Sequence, residues 1–210
     1  MVDYTKMDEK FYEDKTESSN LFQSWFHDSR NKITNNLVTK YYQPGMIIAD
    51  LGCGNVIWNE NKLPVTGIDL NENFLDYSFR KGRINKKIAC HLNQLQLEDE
   101  SVDIIIITEV LEHLPDLDKH LLEIRRVLKP GGLVISSVPY DTNISLWKPL
   151  FFIQCFYQGQ MRGEKYYQEK CGHINNFSKK SIIQLFNKYK FIFKEQYNHS
   201  YFTIFTVFQK

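Results

Sequence analysis

Four side chains in the middle and later parts of the sequence could bind a metal ion or move a proton. Glu109, Glu112 and His113 lie in the stretch TEVLEHLPD, and His173 lies in CGHINNF. Residues three or four positions apart share a face of a helical turn, so we expect the first three to lie together. Two carboxylates and two imidazoles suit a divalent cation, and one histidine could instead act alone as a general base.

Simpler roles for the same residues stay open. Glu112 could be an acid on a helix surface, and His113 could only pack against its neighbours. Cys171, two residues before His173, could be a further ligand, although a single cysteine is more often a small buried side chain. We expect the four acids and histidines to converge in either case.

A glycine-rich loop follows an apolar segment in IIADLGCGNVIWNE, residues 47–60. Gly52 and Gly54 let the backbone turn sharply and approach a ligand closely, although they could also serve only a tight turn. The next acid at a predicted strand end is Asp69, 15 residues after Gly54. A carboxylate there can accept hydrogen bonds from both hydroxyls of a ribose, so the loop and the acid together predict a nucleoside site.

Strands and helices alternate around this loop. We predict strands at 47–51, 65–70, 87–91, 102–108 and 133–138, helices at 71–80, 117–128 and 178–189, and a terminal antiparallel pair at 191–197 and 201–208. The stretch VDIIIIT is apolar on both faces, as a parallel sheet requires. The pattern predicts an α/β fold, with a doubly wound, Rossmann-like, seven-stranded, mainly parallel sheet, a C-terminal antiparallel hairpin and an inserted lid.

The N-terminal region precedes this alternation. Residues 1 to about 18 are polar with aromatic interruptions and predict a loose arm or a short helix; the aromatic residues are Tyr4, Phe11 and Tyr12. Ser18 and Ser19 are candidate caps for a helix that ends near residue 42. We expect residues 1–44 to form a helical cap on a single domain, residues 1–210.

Residues 139–176 break the alternation and are too long for an ordinary connection, so we expect a lid inserted over the site. Its stretch LWKPLFFIQCFY is rich in aromatic residues and could cover an aromatic or lipid-like acceptor. It could instead touch a membrane surface through 144–157, or pack on its own domain. The basic residues Lys148, Arg162 and Lys165 could meet a phosphate.

The composition limits the classes of function. The chain has 210 residues, of which 42% are hydrophobic and 24% charged, and a formal net charge of +1, which gives no general attraction to nucleic acid. No apolar run approaches the length of a membrane span. The cysteines are scattered without paired spacing, which predicts reduced thiols in the cytoplasm; they are Cys53, Cys90, Cys155 and Cys171.

The loop, the strand-end acid and the later stretches occur together in a fixed order. ADLGCGN, GIDLNENFL, LEDESVDIIIITEVLEHLPD and LLEIRRVLKPGGLVISSVP span roughly residues 45–140. In this combination they resemble the motifs of the class I S-adenosylmethionine-dependent methyltransferases, and GHINNFSKKSIIQLF is a weaker match. The resemblance implies an enzyme, a transferase that performs methylation with S-adenosyl-L-methionine as cofactor.

The resemblance also implies cofactor contacts at three predicted strand ends. The methionine part would be bordered by Asp50, Gly52, Cys53 and Gly54. The ribose would be held by Asp69 with Leu70 against the adenine, and the transferable methyl group would lie beside Thr108 and Glu109.

Two features differ from the usual family pattern. A sulfonium nucleoside has no pyrophosphate, so Val56 can replace a third glycine, and the 19 residues from Asp50 to Asp69 leave space for a following helix of about one turn. The family often has an acid after the third strand, where this chain has ACHLNQLQL. His91 or Asn93 could serve instead, or only backbone contacts could.

Arg30 and the four acids and histidines extend the resemblance to a quinone-pathway-like, small-molecule branch. Arg30 resembles an arginine that meets the cofactor's carboxylate in some quinone-pathway methyltransferases, although it could lie on a solvated helix face. The E-x-x-E-H…H arrangement resembles one in small-RNA 2′-O-methyltransferases and in quinone-pathway O-methyltransferases. It implies Mg²⁺ or another divalent metal on Glu109, Glu112, His113 and His173.

The sequence thus favours methylation of a small molecule, most readily on oxygen of an aromatic, glycan or lipid-like acceptor, with His113, His173 and Glu109 as candidate catalytic residues. An RNA 2′-O-methyltransferase with a divalent metal is an alternative, although the charge balance disfavours nucleic acid. A non-catalytic cofactor-binding protein is a second alternative, because a fold does not determine a function.

Overall fold

A computed structural model describes residues 4–142 and 145–210. Within these residues one seven-stranded sheet has the order β3-β2-β1-β4-β5-β7-β6. The strands are β1 (Ile48–Leu51), β2 (Val65–Asp69), β3 (Lys86–Ala89), β4 (Val102–Thr108), β5 (Leu128–Pro139), β6 (Ile192–His199) and β7 (Thr203–Gln209). The first five are parallel and β7 runs antiparallel to β5 and β6, so the predicted fold class is confirmed.

The α-helices of the described residues are α1 (Phe11–Thr16), α2 (Leu21–Tyr41), α3 (Glu72–Arg80), α4 (Leu117–Val127), α5 (Trp147–Gln154), α6 (Lys165–Gln168) and α7 (Lys179–Lys188). Short 3₁₀ turns lie at Tyr4–Lys6, Leu111–His113 and Lys170–Gly172, and a π-helix lies at Cys155–Met161. None of the described helices is both long and apolar enough to cross a membrane.

The caps of the helices are largely local. Ser178 begins α7 with a reciprocal pair of hydrogen bonds to Ser181, and Asn71 accepts from the N–H of Asn73 at the start of α3. The cap of α2 is Asn20, whose side chain accepts from the N–H groups of Phe22 and Gln23. The prediction of Ser18 or Ser19 as this cap was therefore wrong, because the chain turns into the helix one residue later.

Alternating residues of the sheet point to opposite faces and pack into two hydrophobic cores. Ala49 and Leu51 pack with α4 and α7 on one face, whereas Ile48 packs with α2 and the loop after β1 on the other. In β4 the four isoleucines 104–107 are each at most 1% exposed. Burying a side chain of this size contributes about 1.5–3 kcal/mol, so these four residues stabilise the centre of the sheet.

The loop after β1 departs from the prediction. No helix forms in residues 52–64; the chain crosses to β2 through a series of turns. Val56 has φ +46°, a left-handed conformation that is unusual for a β-branched residue. The backbone at this position thus has the geometry that a glycine would favour, and the turn it makes prevents a helix from starting. Trp58, rather than a helix, packs this part of the loop into the core.

The segment 139–176 leaves and rejoins the sheet at one place. Tyr140 forms a parallel bridge with Phe177, and the N–H of Asp141 donates to the carbonyl of Phe177 at 2.9 Å. Between these points lie α5, the π-helix and α6. Residue 144, the start of the predicted membrane contact, lies outside the described residues, as do residues 1–3 of the predicted cap.

Candidate active site

A cavity of about 550 Å³ lies at the carboxyl ends of β1, β2 and β4. This edge of a parallel sheet is where such folds bind ligands, and the volume is typical of small-molecule sites. The lining includes Arg30, Gly52, Cys53, Gly54, Asp69, Leu70, Asn93, Thr108, Glu109 and His113, all singled out from the sequence. His91, the alternative to Asn93, also lines the cavity.

The two glycines of the loop need their lack of a side chain. Gly52 has φ +64°, and a Cβ atom there would lie 2.7 Å from Cγ2 of Val110. Gly54 has φ +51°, and a Cβ atom there would lie 3.1 Å from the ring of Tyr12. Both positions therefore combine a left-handed backbone with close packing, which explains why glycine stands at each.

Asp69 lies between the loop and the cavity. Its carboxylate accepts from the N–H of Gly54 and from the N–H of Asn71, each at 2.9 Å. Burial raises the pKa of this carboxyl, and the two backbone N–H groups oppose that rise. These hydrogen bonds fix the side chain at the cavity wall, where a ribose could still reach it.

Asp50 does not line the cavity and is turned instead toward the core. Its carboxylate accepts from Nε1 of Trp58 at 2.7 Å, and burial raises its pKa from 3.8 to about 7. Cys53 likewise has its sulfur in the core, where it packs near Gly67. Asp50 and Cys53 therefore support the loop from its core side. Trp58, which was not among the candidates predicted from the sequence, packs the loop into the core.

Arg30 and Glu109 form an ion pair in the cavity. Nη1 of Arg30 lies 2.7 Å from Oε2 of Glu109, and Ser137 donates its hydroxyl to Oε1 of Glu109, also at 2.7 Å. Both side chains are about four-fifths buried, at 20% and 18% exposure. Nε of Arg30 is buried without a hydrogen-bond partner among the described residues. The pair therefore offers a cation and an anion side by side.

Three of the four predicted metal ligands converge. Single ligand atoms of Glu112, His113 and His173 all lie within 4.8 Å of one another. Glu109 is not in this group: it has φ +55° and precedes the 3₁₀ turn, so it does not share a helical face with Glu112. The expectation of two carboxylates in the cluster is corrected to one. Cys171 is not in the group either.

Burial dominates the protonation of this cluster. It raises the pKa of Glu112, with the charge of Glu109 adding to the effect. Burial lowers the pKa of His113, and it lowers that of His173 to about 3, with the charge of His113 as a further cause. Oε2 of Glu112 has no hydrogen-bond partner among the described residues. The cluster is thus two neutral imidazoles beside an incompletely satisfied carboxyl group.

The inserted segment covers His173. The rings of Trp147 and Phe151 on α5 lie nearly parallel to its imidazole, with centroids 5.4 and 5.1 Å away. The imidazole of His113 approaches it edge-on at 4.8 Å. The aromatic residues of the insertion therefore form one wall beside the cluster.

The N-terminal strap, which we define as residues 4–17, closes the other side. Asn55 in the loop accepts from the N–H of Tyr12 and donates to the carbonyl of Glu9. Asn71 donates to the carbonyls of Tyr4 and Met7 at 2.9 and 3.1 Å. Tyr4 and Tyr12 line the cavity, and their only signal in the sequence was their aromatic character in a polar segment.

Comparison with known proteins agrees with this geometry. Residues 49–136 match the family described as "Methyltransferase domain". The chain is 31% identical over 123 residues to a demethylmenaquinone methyltransferase of Staphylococcus epidermidis, covering 54% of this chain and 51% of that protein. It is 31% identical over 98 residues to a malonyl-[acyl-carrier protein] O-methyltransferase of Serratia marcescens, covering 45% and 38%.

Residues 49–136 carry a methyltransferase domain. The predicted family is therefore confirmed. A solved SAM-dependent methyltransferase from Aquifex aeolicus has the same fold, with a TM-score of 0.64 at 16% identity over 97% of this chain and 99% of that one. The match spans about half the length of the staphylococcal methyltransferase, 51%.

Within this methyltransferase domain, the matched residues 49–136 include the glycine loop, Asp69, Glu109, Glu112 and His113. They leave out Arg30, the strap and His173. The cavity is therefore built partly from the matched family core and partly from elements outside it.

Proposed function

We propose that the protein transfers a methyl group from S-adenosylmethionine to a small molecule. The observation that carries the proposal is that His113 of the cluster lines the same cavity as Gly52 and Asp69 of the loop. A donor on the loop and an acceptor at the cluster would then meet inside one cavity. Alignment of this kind, together with exclusion of water, is what an in-line displacement needs from a protein.

The residues of the cavity fit the cofactor. Gly52 and Gly54 leave room for close backbone approach, and Asp69 offers carboxylate oxygens to a ribose. The Arg30–Glu109 pair is complementary to the α-amino acid end of the cofactor. The cofactor's carboxylate would pair with the Arg30 guanidinium, and its ammonium group would pair with the Glu109 carboxylate. We propose that Leu70, Asn93 and Thr108 complete the contacts. When bound, the cofactor supplies the electrophilic methyl group.

The acceptor atom in this proposal is an oxygen. The cofactor, when bound, would supply the methyl carbon that this oxygen's lone pair attacks; the electron pair of the broken carbon–sulfur bond would stay on the sulfur, and the hydroxyl proton would pass to water. A pKa near 3 makes His173 a poor general base at neutral pH, but it keeps the imidazole neutral and ready to bind a metal. Because ligand atoms of Glu112, His113 and His173 lie within 4.8 Å of one another, the proposal assigns them to a metal rather than to a histidine base.

Glu112, His113 and His173 fit a divalent cation. Two imidazoles and one carboxylate with open positions are a common ligand set, and a cation would satisfy the unpartnered oxygen of Glu112. These three residues would hold it, and the metal would lower the pKa of an acceptor hydroxyl. The role of Glu109 in the proposal is contact with the cofactor, not with the metal.

The wall beside the cluster suggests the class of acceptor. Trp147 and Phe151 present flat apolar rings next to His173, which suits an aromatic or lipid-like molecule. The staphylococcal relative is named for demethylmenaquinone and the Serratia relative for an O-methyl transfer. Both names are compatible with an acceptor that is small in its reacting part.

The outer face of the insertion supports contact with an anionic membrane surface, where a lipid-like acceptor would be dissolved. Phe152, Ile153 and Phe156 are 51%, 64% and 64% exposed, and Lys148 and Arg162 lie in the same segment. Phe152→Ser with Ile153→Ser should weaken flotation with anionic liposomes. Ile192→Ser, an equally exposed apolar residue on β6, should not, and equal loss in both variants would contradict the contact.

Two measurements test the catalytic proposal. Titration calorimetry with S-adenosylhomocysteine tests cofactor binding, and transfer of a labelled methyl group to phenols, glycans and RNA tests the acceptor. We expect binding, labelling of a phenol-like acceptor, loss with a chelator and recovery with Mg²⁺ or Mn²⁺. Glu112→Gln should reduce transfer strongly, whereas the exposed Glu98→Gln should not.

Other outcomes would replace the proposal. Labelling of RNA alone would favour the 2′-O-methyltransferase alternative, and binding without transfer to any acceptor would favour a non-catalytic cofactor-binding protein. If a chelator leaves methyl transfer unchanged, the proposed role of a metal is wrong. Organisation as one domain over residues 1–210 and location in the cytoplasm remain parts of the same proposal.

A further inference from the structure

The hydroxyl group of Tyr4 connects the strap to the cluster of Glu112, His113 and His173. Its oxygen lies 2.6 Å from the carbonyl oxygen of Cys171 and 3.2 Å from Nδ1 of His113. The ring of Tyr4 also packs against the imidazole, with centroids 5.3 Å apart. Both hydrogen bonds are partly buried, so water competes weakly for them.

The direction of these bonds follows from chemistry. A backbone carbonyl only accepts, so the Tyr4 hydroxyl must donate its single proton to Cys171. The Tyr4 oxygen can then only accept from His113, which requires the proton of a neutral imidazole to be on Nδ1. Nε2 then carries the lone pair and lies 3.7 Å from Oε1 of Glu112, and the backbone of Gly172 is a further hydrogen-bond partner of the ring.

We propose that Tyr4 is a positioning residue that holds His113 in the Nδ1–H tautomer and so directs a bare Nε2 toward the Glu112 and His173 side chains. The use of Nε2 as a metal ligand rests on the proposed function, but the tautomer itself does not. A partner on the far nitrogen commonly fixes the tautomer and orientation of a metal-binding imidazole. Here that partner comes from a distant, N-terminal part of the chain.

The strap makes this support dependent on the cofactor side of the cavity. The backbone of Tyr4 is held by Asn71, which also donates its N–H to Asp69, the proposed ribose ligand. A change at the ribose site can thus reach His113 through three hydrogen bonds: Asp69 to Asn71, Asn71 to Tyr4, and Tyr4 to His113. The proposed ribose ligand and the orientation of His113 are therefore linked through Asn71 and Tyr4.

The first test is the tautomer of the metal-free protein. Nitrogen NMR of ¹⁵N-histidine-labelled protein, with His113 assigned by His113→Gln, should give a protonated Nδ1 and an unprotonated Nε2 in the wild type. Tyr4→Phe should lose this preference and give a mixture or Nε2–H. A wild-type His113 protonated at Nε2 would overturn the proposal even if Tyr4→Phe failed to fold.

Tyr77→Phe is the matched control. It removes a tyrosine hydroxyl that donates to Glu13 and so loosens the strap without touching His113. The tautomer should stay unchanged in this variant. If Tyr77→Phe shifted it as much as Tyr4→Phe, the effect would belong to strap docking in general and the specific role of the Tyr4 hydroxyl would be refuted.

The second test is Mn²⁺ affinity, followed by electron paramagnetic resonance. Loss of such a partner typically weakens metal binding by about 10–100-fold, so we expect this range in Tyr4→Phe and little change in Tyr77→Phe. If the wild type shows the Nδ1–H tautomer but binds no Mn²⁺, the proposed metal fails while the role of Tyr4 stands. Equal Mn²⁺ affinity of wild type and Tyr4→Phe would refute that role.

Discussion

At the scale of single residues, the site is surrounded by backbone in the left-handed region. Val56, Glu109 and Cys171 have φ values of +46°, +55° and +53°. Such conformations are unfavourable for these residue types and persist only where the surrounding structure enforces them. Val56 makes a turn within the loop after β1, Glu109 follows the end of β4, and Cys171 directs its carbonyl at the Tyr4 hydroxyl. The strain is thus concentrated at three turns that shape the cavity.

Comparing Gly52 in the glycine loop with Gly82 outside it separates the cost of backbone strain from the cost of steric crowding. Gly82 has φ +67°, close to the +64° of Gly52, but a Cβ atom on Gly82 would meet nothing within 4 Å. We expect Gly82→Ala to lose about 1–2 kcal/mol of unfolding free energy from its backbone alone. Gly52→Ala should lose more and should also abolish binding of S-adenosylhomocysteine.

Urea unfolding and calorimetry would compare these two variants. Adding Val110→Ala to Gly52→Ala removes the crowding atoms and should recover part of the stability. Equal losses at Gly52 and Gly82, with cofactor binding retained in both, would contradict close packing at the loop.

Asp69 should control cofactor affinity. Asp69→Asn keeps the size of the side chain but removes the charge that accepts ribose hydroxyls, so we expect a loss of about 1–3 kcal/mol of binding free energy. Asp76→Asn is the control, because it changes a half-exposed acid of α3 that pairs with Lys87 on β3. Calorimetric titration with S-adenosylhomocysteine would measure both, and undiminished affinity in Asp69→Asn would rule out the ribose assignment.

At the scale of elements, Asn55 ties the strap to the glycine loop. Asn55→Ala removes the bonds to Glu9 and Tyr12 at once. We expect faster hydrogen exchange in the backbone of residues 4–16, because local opening then needs less free energy. Mass spectrometry would measure the exchange, with the exposed Asn61→Ala as control. Exchange confined to the loop, with the strap unchanged, would argue against these contacts.

The elements also mark the limits of sequence reasoning. The strands and α3, α4 and α7 were predictable because apolar periodicity and turn residues determine them, and Val102–Thr108 was predicted to the residue. The turn at Val56 was not predictable, since it breaks the preference of valine. The pairing of Glu109 with Arg30 needed the relative position of α2 and β4, which no local pattern contains. Tyr4 reaches His113 across 109 residues, for the same reason.

At the scale of the whole molecule, Asp50 should make stability fall with rising pH. Its pKa is about 7 in the folded protein and near 3.8 in the unfolded chain. Between these values the folded form keeps a proton that the unfolded form has lost, so the stabilisation present below pH 4 decreases up to pH 7. The loss is up to about 1.4 kcal/mol per pH unit.

Asp50→Asn tests this dependence. An asparagine can still accept from Nε1 of Trp58 but cannot titrate in this range. We expect the unfolding free energy of the variant to rise steadily relative to that of the wild type between pH 4 and pH 7, with no further relative rise above pH 7. Urea unfolding without cofactor would measure it. A constant difference across this range would mean that Asp50 is ionised in the folded protein.

The position of β7 bears on how the chain can be divided. The last strand in sequence lies between β5 and β6, and β7 pairs with β5 over residues 133–139. The family match ends at residue 136, so an excised piece covering 49–136 would expose the edge of β5. It would also lose Val38 and the rest of α2 from one core. Unpaired strand edges promote aggregation, so the region by which the family is recognised is smaller than the unit that folds.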